Sequence, residues 1–196
     1  MPDLTNKNID FLWRSFLKGD DKSFSIIYQQ HIEGLFSYGL KLSPDREIVK
    51  DCIQEVFIDL FQKRNKINIE IKNLKSYLFV ALRNCIIKKI TQTRKYEPLE
   101  LNEDKKEINF HVEYSFHDKL IELEISNEIK NKLHNAINNL PDRQKEIIYL
   151  KFEEEMNYDQ IAKVLKISIE SARKLMYRAL LSLREIIDPG KITSIL

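Results

Sequence analysis

The chain has 196 residues, 43% hydrophobic and 32% charged, which suffices for one large or two small packed cores under a charged surface. Four Gly and five Pro argue against a turn-dense β fold, and no apolar run approaches the ~20 residues that a bilayer span needs. The net charge of +2 conceals a pattern: residues 1–95 carry 17 Lys and Arg against 11 Asp and Glu, residues 96–130 carry 4 against 10, and residues 131–196 carry 11 against 9. A basic segment, an acidic strap and a mildly basic segment suit two nucleic-acid modules on a tether. Cys52 and Cys85 are far apart in sequence, within apolar periodic runs, and form no CxxC pair. They read as buried thiols in a reducing cytosol. His31, His111, His117 and His134 fit no metal spacing, and no segment reads as a signal peptide. The expectation is a cytoplasmic protein with no metal and no cofactor.

Helical periodicity dominates in chain order. Phe11, Leu12 and Phe16, then Phe24, Ile27, Tyr28, Ile32, Leu35 and Phe36, trace two helices broken near Gly19 and Asp20. Ser43-Pro44-Asp45 marks a turn, with Ser43 or Asp45 at the start of a long helix from about Arg46 to Lys63. Residues 64–73 alternate polar and aliphatic side chains and read as a loop or a short strand. A further helix covers about Leu74 to Arg94, and Pro98 ends the domain. Residues 96–118 lose periodicity and read as a linker. Helices resume from about Lys119 to Asn139 and from Pro141 to Phe152, and a short helix pair over 157–184 closes the pattern. The predicted fold is all-α: helical domains at 1–95 and 119–196, joined by a flexible acidic linker at 96–118.

Two of these helices have outer faces that need a reading. On the helix from Arg46, Ile53, Val56, Phe57, Leu60 and Arg64 cluster on a core face. Asp51, Gln54, Glu55 and Ile58 fall opposite, with Phe61 at the border. That combination suits a protein contact, with apolar area for affinity and polar groups for register. Taken alone, it equally describes a solvated face with one surface hydrophobe. On the helix from Leu74, Leu78, Ala81, Leu82, Cys85 and Lys89 define one face. Tyr77, Asn84, Lys88, Thr91 and Lys95 define the other. Cations there can neutralise phosphate, and Tyr and Asn can stack on or bond an exposed base. A core helix with a solvated basic edge accounts for the same pattern.

The closing segment is more specific. Ile161, Ala162 and Leu165 sit at helical spacing over about 158–165, Lys166-Ile167-Ser168 makes a short turn, and Ser168 can cap the next helix. That helix sets Ile169, Ala172, Met176, Ala179 and Leu183 on one face and Glu170, Arg173, Lys174, Tyr177 and Arg178 on the other. This is a helix-turn-helix with an apolar anchor and long donors aimed outward, as a major groove requires. Lys166 stands where such turns often have Gly, so a positive φ there would carry strain.

Four segments in order resemble the extracytoplasmic-function (ECF) sigma factors of bacterial transcription. FLWRSFLKGDDKSFSIIYQQHIEGLFSYGLKL (11–42) resembles the start of sigma region 2. DREIVKDCIQEVFIDLF (45–61) resembles its D-x-x-Q-x-x-F helix, here Asp51, Gln54 and Phe57. NLKSYLFVALRNCIIKKITQTRK (73–95) resembles the segment that melts and reads the −10 element, and LPDRQKEIIYLKF (140–152) with the helix-turn-helix resembles region 4. The resemblance implies that Asp51, Gln54, Glu55 and Ile58 contact a coiled coil of the largest polymerase subunit, with Phe57 holding the helix from inside. It assigns −10 strand contacts to Tyr77, Asn84, Lys88, Thr91 and Lys95, with the 64–73 loop helping to capture a flipped base. It assigns −35 reading to Ser168, Glu170, Ser171, Arg173, Lys174 and Arg178.

The partners implied are core RNA polymerase, promoter DNA and an anti-sigma factor, plausibly membrane-anchored. The acidic strap would pass through the polymerase near the RNA exit path. The chain departs from the family's usual residues at Glu155 and Lys166, where Gly is common, at Leu175, where Arg is frequent, and in the 64–73 loop, which lacks an aromatic and a Gly. No nucleophile–base pair, paired carboxylate motif or phosphate-binding Gly loop points to an enzyme. Two other readings remain: a helix-turn-helix regulator that binds DNA without polymerase, and a helical anti-sigma or scaffold protein that uses these faces for protein contacts only.

Overall fold

Every regular element among the described residues of the computed structural model is a helix; those residues are 4–64, 74–94, 110 and 127–187. The helices are α1 (Leu4–Leu17), α2 (Asp21–Leu42), α3 (Arg46–Gln62), α4 (Leu74–Arg94), α5 (Asn127–Asn138), α6 (Asp142–Phe152), α7 (Tyr158–Leu165) and α8 (Ile169–Ile187). None is long and apolar enough to cross a membrane. The chain divides into two compact units, Met1–Ile108 and Asn109–Leu196.

In the first unit α1 packs on α2, and α2, α3 and α4 pack on one another. Local signals set the breaks. Gly19 takes φ +102 after α1, a left-handed conformation that costs a side-chain-bearing residue more. Asp20 then caps α2 by accepting from the Lys22 and Ser23 N–H groups. Of the two residues offered for the next start, Asp45 is the cap: its Oδ1 accepts from Glu47 N at 2.9 Å and Ile48 N at 3.2 Å. Gly39 lets α2 and α3 cross closely, since a Cβ there would meet Val49 Cγ1 at 2.5 Å. The core holds Phe16, Ile27, Leu35, Tyr38, Val49, Ile53, Leu60, Leu78 and Ile86. Arg64 closes the end of α3, bonding Asp21 at 3.3 Å and lying over the Phe61 ring at 4.9 Å.

In the second unit α8 packs against α5, α6 and α7. Pro141 occupies the N-cap of α6, where its missing N–H costs nothing. Asn157 and Gln160 form a reciprocal capping box at the start of α7, with bonds of 2.9 and 3.0 Å. Lys166 does take a left-handed conformation, φ 54, and the Ile167 N–H returns to Ala162 O at 3.0 Å to close the turn. Glu155 is left-handed as well, at φ 53. Both positions where the chain departs from a family Gly therefore demand the conformation that Gly supplies. Such a residue costs ~1–2 kcal/mol in this region, against ~0.5–1 kcal/mol of extra unfolded-state freedom for Gly. Lys166→Gly is accordingly expected to stabilise by about 0.5–1 kcal/mol and Lys166→Val to destabilise, as read by urea unfolding followed by circular dichroism.

The helix read from Lys119 is described from Asn127; residues 119–126 lie outside the described residues, as do 65–73. Two further features differ from the sequence reading. Phe110, inside the stretch read as linker, is 1% exposed and packs edge-on to Tyr149 of α6 at 6.1 Å. One core aromatic outside any sustained apolar period gives a search for periodicity nothing to detect. Ile169, placed on the buried stripe of α8, is 42% exposed. It sits at the first position of the helix.

Candidate functional site

The α3 faces fall as the 3.6-residue period requires. Asp51, Gln54, Glu55 and Ile58 are exposed, and Val56, Phe57 and Leu60 are buried. Phe57 packs edge-on to Tyr28 at 4.7 Å and to Phe24 at 6.1 Å. These aromatics, with Gln54, Ile58, Phe61 and Gln62, line an open groove of about 470 Å³ between α2 and α3. Gln54 and Ile58 thus stand on the rim of an apolar recess with Phe57 in its wall. The sequence supplied the rim, but the α2 contribution comes only from packing.

Glu55 is engaged from α4. Lys89 Nζ lies 2.8 Å from its Oε1 and 3.5 Å from Asp51 Oδ2, and the Cys85 thiol donates to Glu55 Oε2 at 3.2 Å. The Lys89 hydrogen bond first, then that from Cys85, hold the Glu55 carboxyl below its ordinary pKa, while bonding to Glu55 raises Lys89. By sign, the Glu55 contribution is present above the unfolded carboxylate pKa and fades as pH falls through the folded value. The Lys89 contribution fades as pH rises through its own. Both side chains meet solvent, so the pair is worth only ~0–1 kcal/mol, and an incoming partner can displace it.

The α4 face read as Leu78, Ala81, Leu82, Cys85 and Lys89 thus divides between the core and the side toward α3, where Lys89 lies. The buried residues are Leu74, Ser76, Leu78, Phe79, Leu82, Arg83 and Ile86, while Ala81 and Cys85 are half-buried on the side toward α3. Tyr38 of α2 meets Phe79 at 5.0 Å, which pulls the arc round from its predicted centre. The opposite stripe holds as a stripe: Asn84 and Lys88 are exposed, Tyr77 and Thr91 half-buried. Burial first, then the Asp59 charge, raise the Tyr77 phenol pKa, so it stays a donor at neutral pH. Thr91 already donates its hydroxyl to Ile87 O at 2.7 Å, which leaves it an acceptor. Lys95 lies outside the described residues.

On α8, Ser168 is the cap, accepting from Ser171 N at 3.0 Å and donating to Ser171 Oγ at 2.8 Å. Both serines are thus committed to holding the helix start. Glu170 and Lys174 pair at 2.7 Å with both side chains exposed. Arg173 lies 5.8 Å over the Tyr158 ring of α7, which props its guanidinium outward. Arg173, Lys174, Tyr177 and Arg178 form one continuous exposed surface, with Tyr177 67% exposed.

Residues 27–96 match the Sigma-70 region 2 family and residues 136–185 match Sigma-70, region 4. The ECF RNA polymerase sigma factor SigM of Bacillus subtilis (strain 168) is 22% identical over 164 residues, covering 84% of this chain and 94% of that protein. The chain belongs to the ECF sigma factor family. It is an alternative sigma factor that directs transcription. Two solved structures share the fold of this sigma factor. CnrH bound to the cytosolic domain of CnrY aligns with TM-score 0.58 and 14% identity, covering 93% of this chain and 99% of that one. The Bartonella quintana sigma factor RpoE bound to the anti-sigma factor NepR aligns with TM-score 0.56 and 18% identity, covering 87% and 99%.

Proposed function

We propose that this sigma factor docks on core RNA polymerase through α3, reads the −10 element with α4 and reads the −35 element with α8. The observation that carries the docking surface is the apolar groove rimmed by Gln54 and Ile58. Exposed Ile58 and the aromatic groove wall supply apolar area, and Asp51, Gln54 and Glu55 supply register. On α4, Tyr77, Asn84 and Lys88 offer a donor phenol, an amide and a cation along one stripe, with Thr91 an acceptor beside them. Unpaired bases present the edges such groups read, and extruding them costs ~a few kcal/mol, least in A·T-rich sequence. On α8, Arg173, Lys174 and Arg178 are the groove and phosphate contacts. Glu170 selects among bases, and Ser168 and Ser171 fix the helix start.

The domain arrangement we propose is region 2 over 1–95, a linker over 96–118 and region 4 over 119–196. Phe110 anchors the linker's later part to the second unit. The protein acts in the cytoplasm, has no catalytic machinery of its own and leaves the chemistry to the polymerase. An anti-sigma factor holds it inactive, a reading supported by the anti-sigma factor NepR bound to the structurally similar RpoE. The cytosolic domain in the CnrY complex supports a membrane-anchored form of that partner.

The test is transcription in vitro with purified core enzyme on a promoter library, with a gel shift of the sigma factor alone beside it. Initiation from a defined −35/−10 pair is expected only with both components, and the sigma factor alone should bind duplex poorly. Tight promoter binding without polymerase would instead identify the regulator. Failure to bind core enzyme, with no initiation, would sink the proposal.

A further inference from the structure

We propose that Cys52 and Cys85 are a dithiol–disulfide pair, closed by a peroxide-class oxidant into an intramolecular bond that ties α3 to α4. Though 33 residues separate them, their Sγ atoms lie 2.7 Å apart. A disulfide is ~2.05 Å long, so closure asks for movement of only ~0.7 Å. Their surroundings divide the labour. Cys52 is fully buried. Cys85 lines an open groove of about 420 Å³ between α3 and α4, alongside Glu55, Ile58, Asp59 and Ala81. The oxidant therefore meets Cys85, and Cys52 waits behind it.

The chemistry balances in two steps. The Cys85 thiolate attacks one peroxide oxygen; an S–O bond forms, the O–O bond breaks, and the departing oxygen leaves as alcohol or water after taking a proton. Cys52 then attacks the Cys85 sulfur of that sulfenic acid; the S–S bond forms, the S–O bond breaks, and hydroxide leaves as water with the Cys52 proton. Two thiols lose two electrons, and the peroxide gains them. A solitary thiol in the same groove would proceed to sulfinic acid, which thiols do not reverse. The neighbour at 2.7 Å intercepts it.

Burial and the charged groups around the pair set the rate. Glu55 and Asp51 from α3 and Lys89 from α4 face it. Burial first, then bonding to Cys52 and Glu55, push the Cys85 thiol well above its ordinary pKa, and burial raises Cys52 too. Thiolate is thus scarce at neutral pH, so closure is slow and answers sustained rather than brief oxidation. Once closed, the pair no longer offers Glu55 a thiol donor, and the two helices carrying the proposed polymerase and −10 surfaces are covalently joined.

The full-length chain is exposed to hydrogen peroxide, alkylated and digested with trypsin. Cleavage at Lys50, Lys63, Arg83 and Lys88 puts each cysteine in its own peptide. The expected product is the Cys52–Cys85 linked pair from a monomeric chain, reversed by dithiothreitol, forming up to about tenfold faster per pH unit above neutrality. Trp13, the single tryptophan, is buried in the first unit and reports its melting, which should move upward on oxidation and return on reduction. Cys52→Ser should abolish the linked pair and let sulfinic acid accumulate on Cys85. Sulfinic acid on wild-type Cys85 with Cys52 still alkylatable would overturn the proposal. So would links only between chains, a lower Trp13 melting temperature after oxidation, or thiols untouched by oxidant that fully oxidises the urea-unfolded chain.

Discussion

Replacing Asp51 and Gln54 together by Ala is expected to weaken binding to core polymerase by about 30-fold or more, with far-UV circular dichroism and Trp13 fluorescence unchanged. Central interface residues each cost ~2 kcal/mol or more when truncated, and 1.4 kcal/mol is tenfold in affinity. Both side chains are exposed, and among the described residues Asp51 pairs with Lys89 at 3.5 Å, a lysine that retains Glu55 without it. Ile58→Ala should behave alike, since a side chain 55% exposed gains its burial only on docking. Phe57→Ala is the contrasting case. At 3% exposure, between Tyr28 and Phe24, it should cost ~3–5 kcal/mol of fold stability, so its binding defect would follow from lost structure. Titration of labelled polymerase, paired with thermal melting of each variant, separates the two. Unchanged affinity in Asp51→Ala/Gln54→Ala would remove α3 as the docking element.

Which features could be read from the sequence follows from how local their causes are. The α3 faces, the Ser168 cap and the left-handed Lys166 all arise within four residues, so spacing and residue type suffice. The α4 orientation arises elsewhere. That helix is apolar around much of its circumference, and its buried arc was settled by Tyr38 from α2, which no local pattern encodes. Lys89 shares a helical stripe with Leu78 and Leu82, and the stripe alone does not say what it meets. In the fold that stripe meets Glu55. The Cys52–Cys85 contact and the Phe24 and Tyr28 walls of the groove are likewise long-range, as is Phe110 against Tyr149. Ile169 differs for the opposite reason: it has the right period but sits at the first position of a helix, where it is 42% exposed.

Arg173→Ala and Lys174→Ala should each lower the affinity of the holoenzyme for promoter DNA, but with different signatures. Arg173 is held over Tyr158, so its guanidinium is presented with little freedom left to lose. If it forks onto a guanine edge, its loss costs ~1–3 kcal/mol and relaxes preference at one position of the −35 element. Lys174 is a flexible point charge, so its loss should weaken all sequences alike and reduce the salt slope by about 1. The 2.7 Å pair with Glu170 sharpens the second expectation. Without Lys174, the Glu170 carboxylate faces phosphate unscreened, so Lys174→Ala should cost more than Glu170→Gln/Lys174→Ala. Glu170→Gln alone should leave affinity near wild type and blur selection at the base it reads, since a carboxylate accepts from a cytosine amine that an amide serves less well. Binding isotherms at several salt concentrations on promoters varied only in the −35 element measure all four variants. If Arg173→Ala and Lys174→Ala leave both slope and preference intact, α8 does not read DNA.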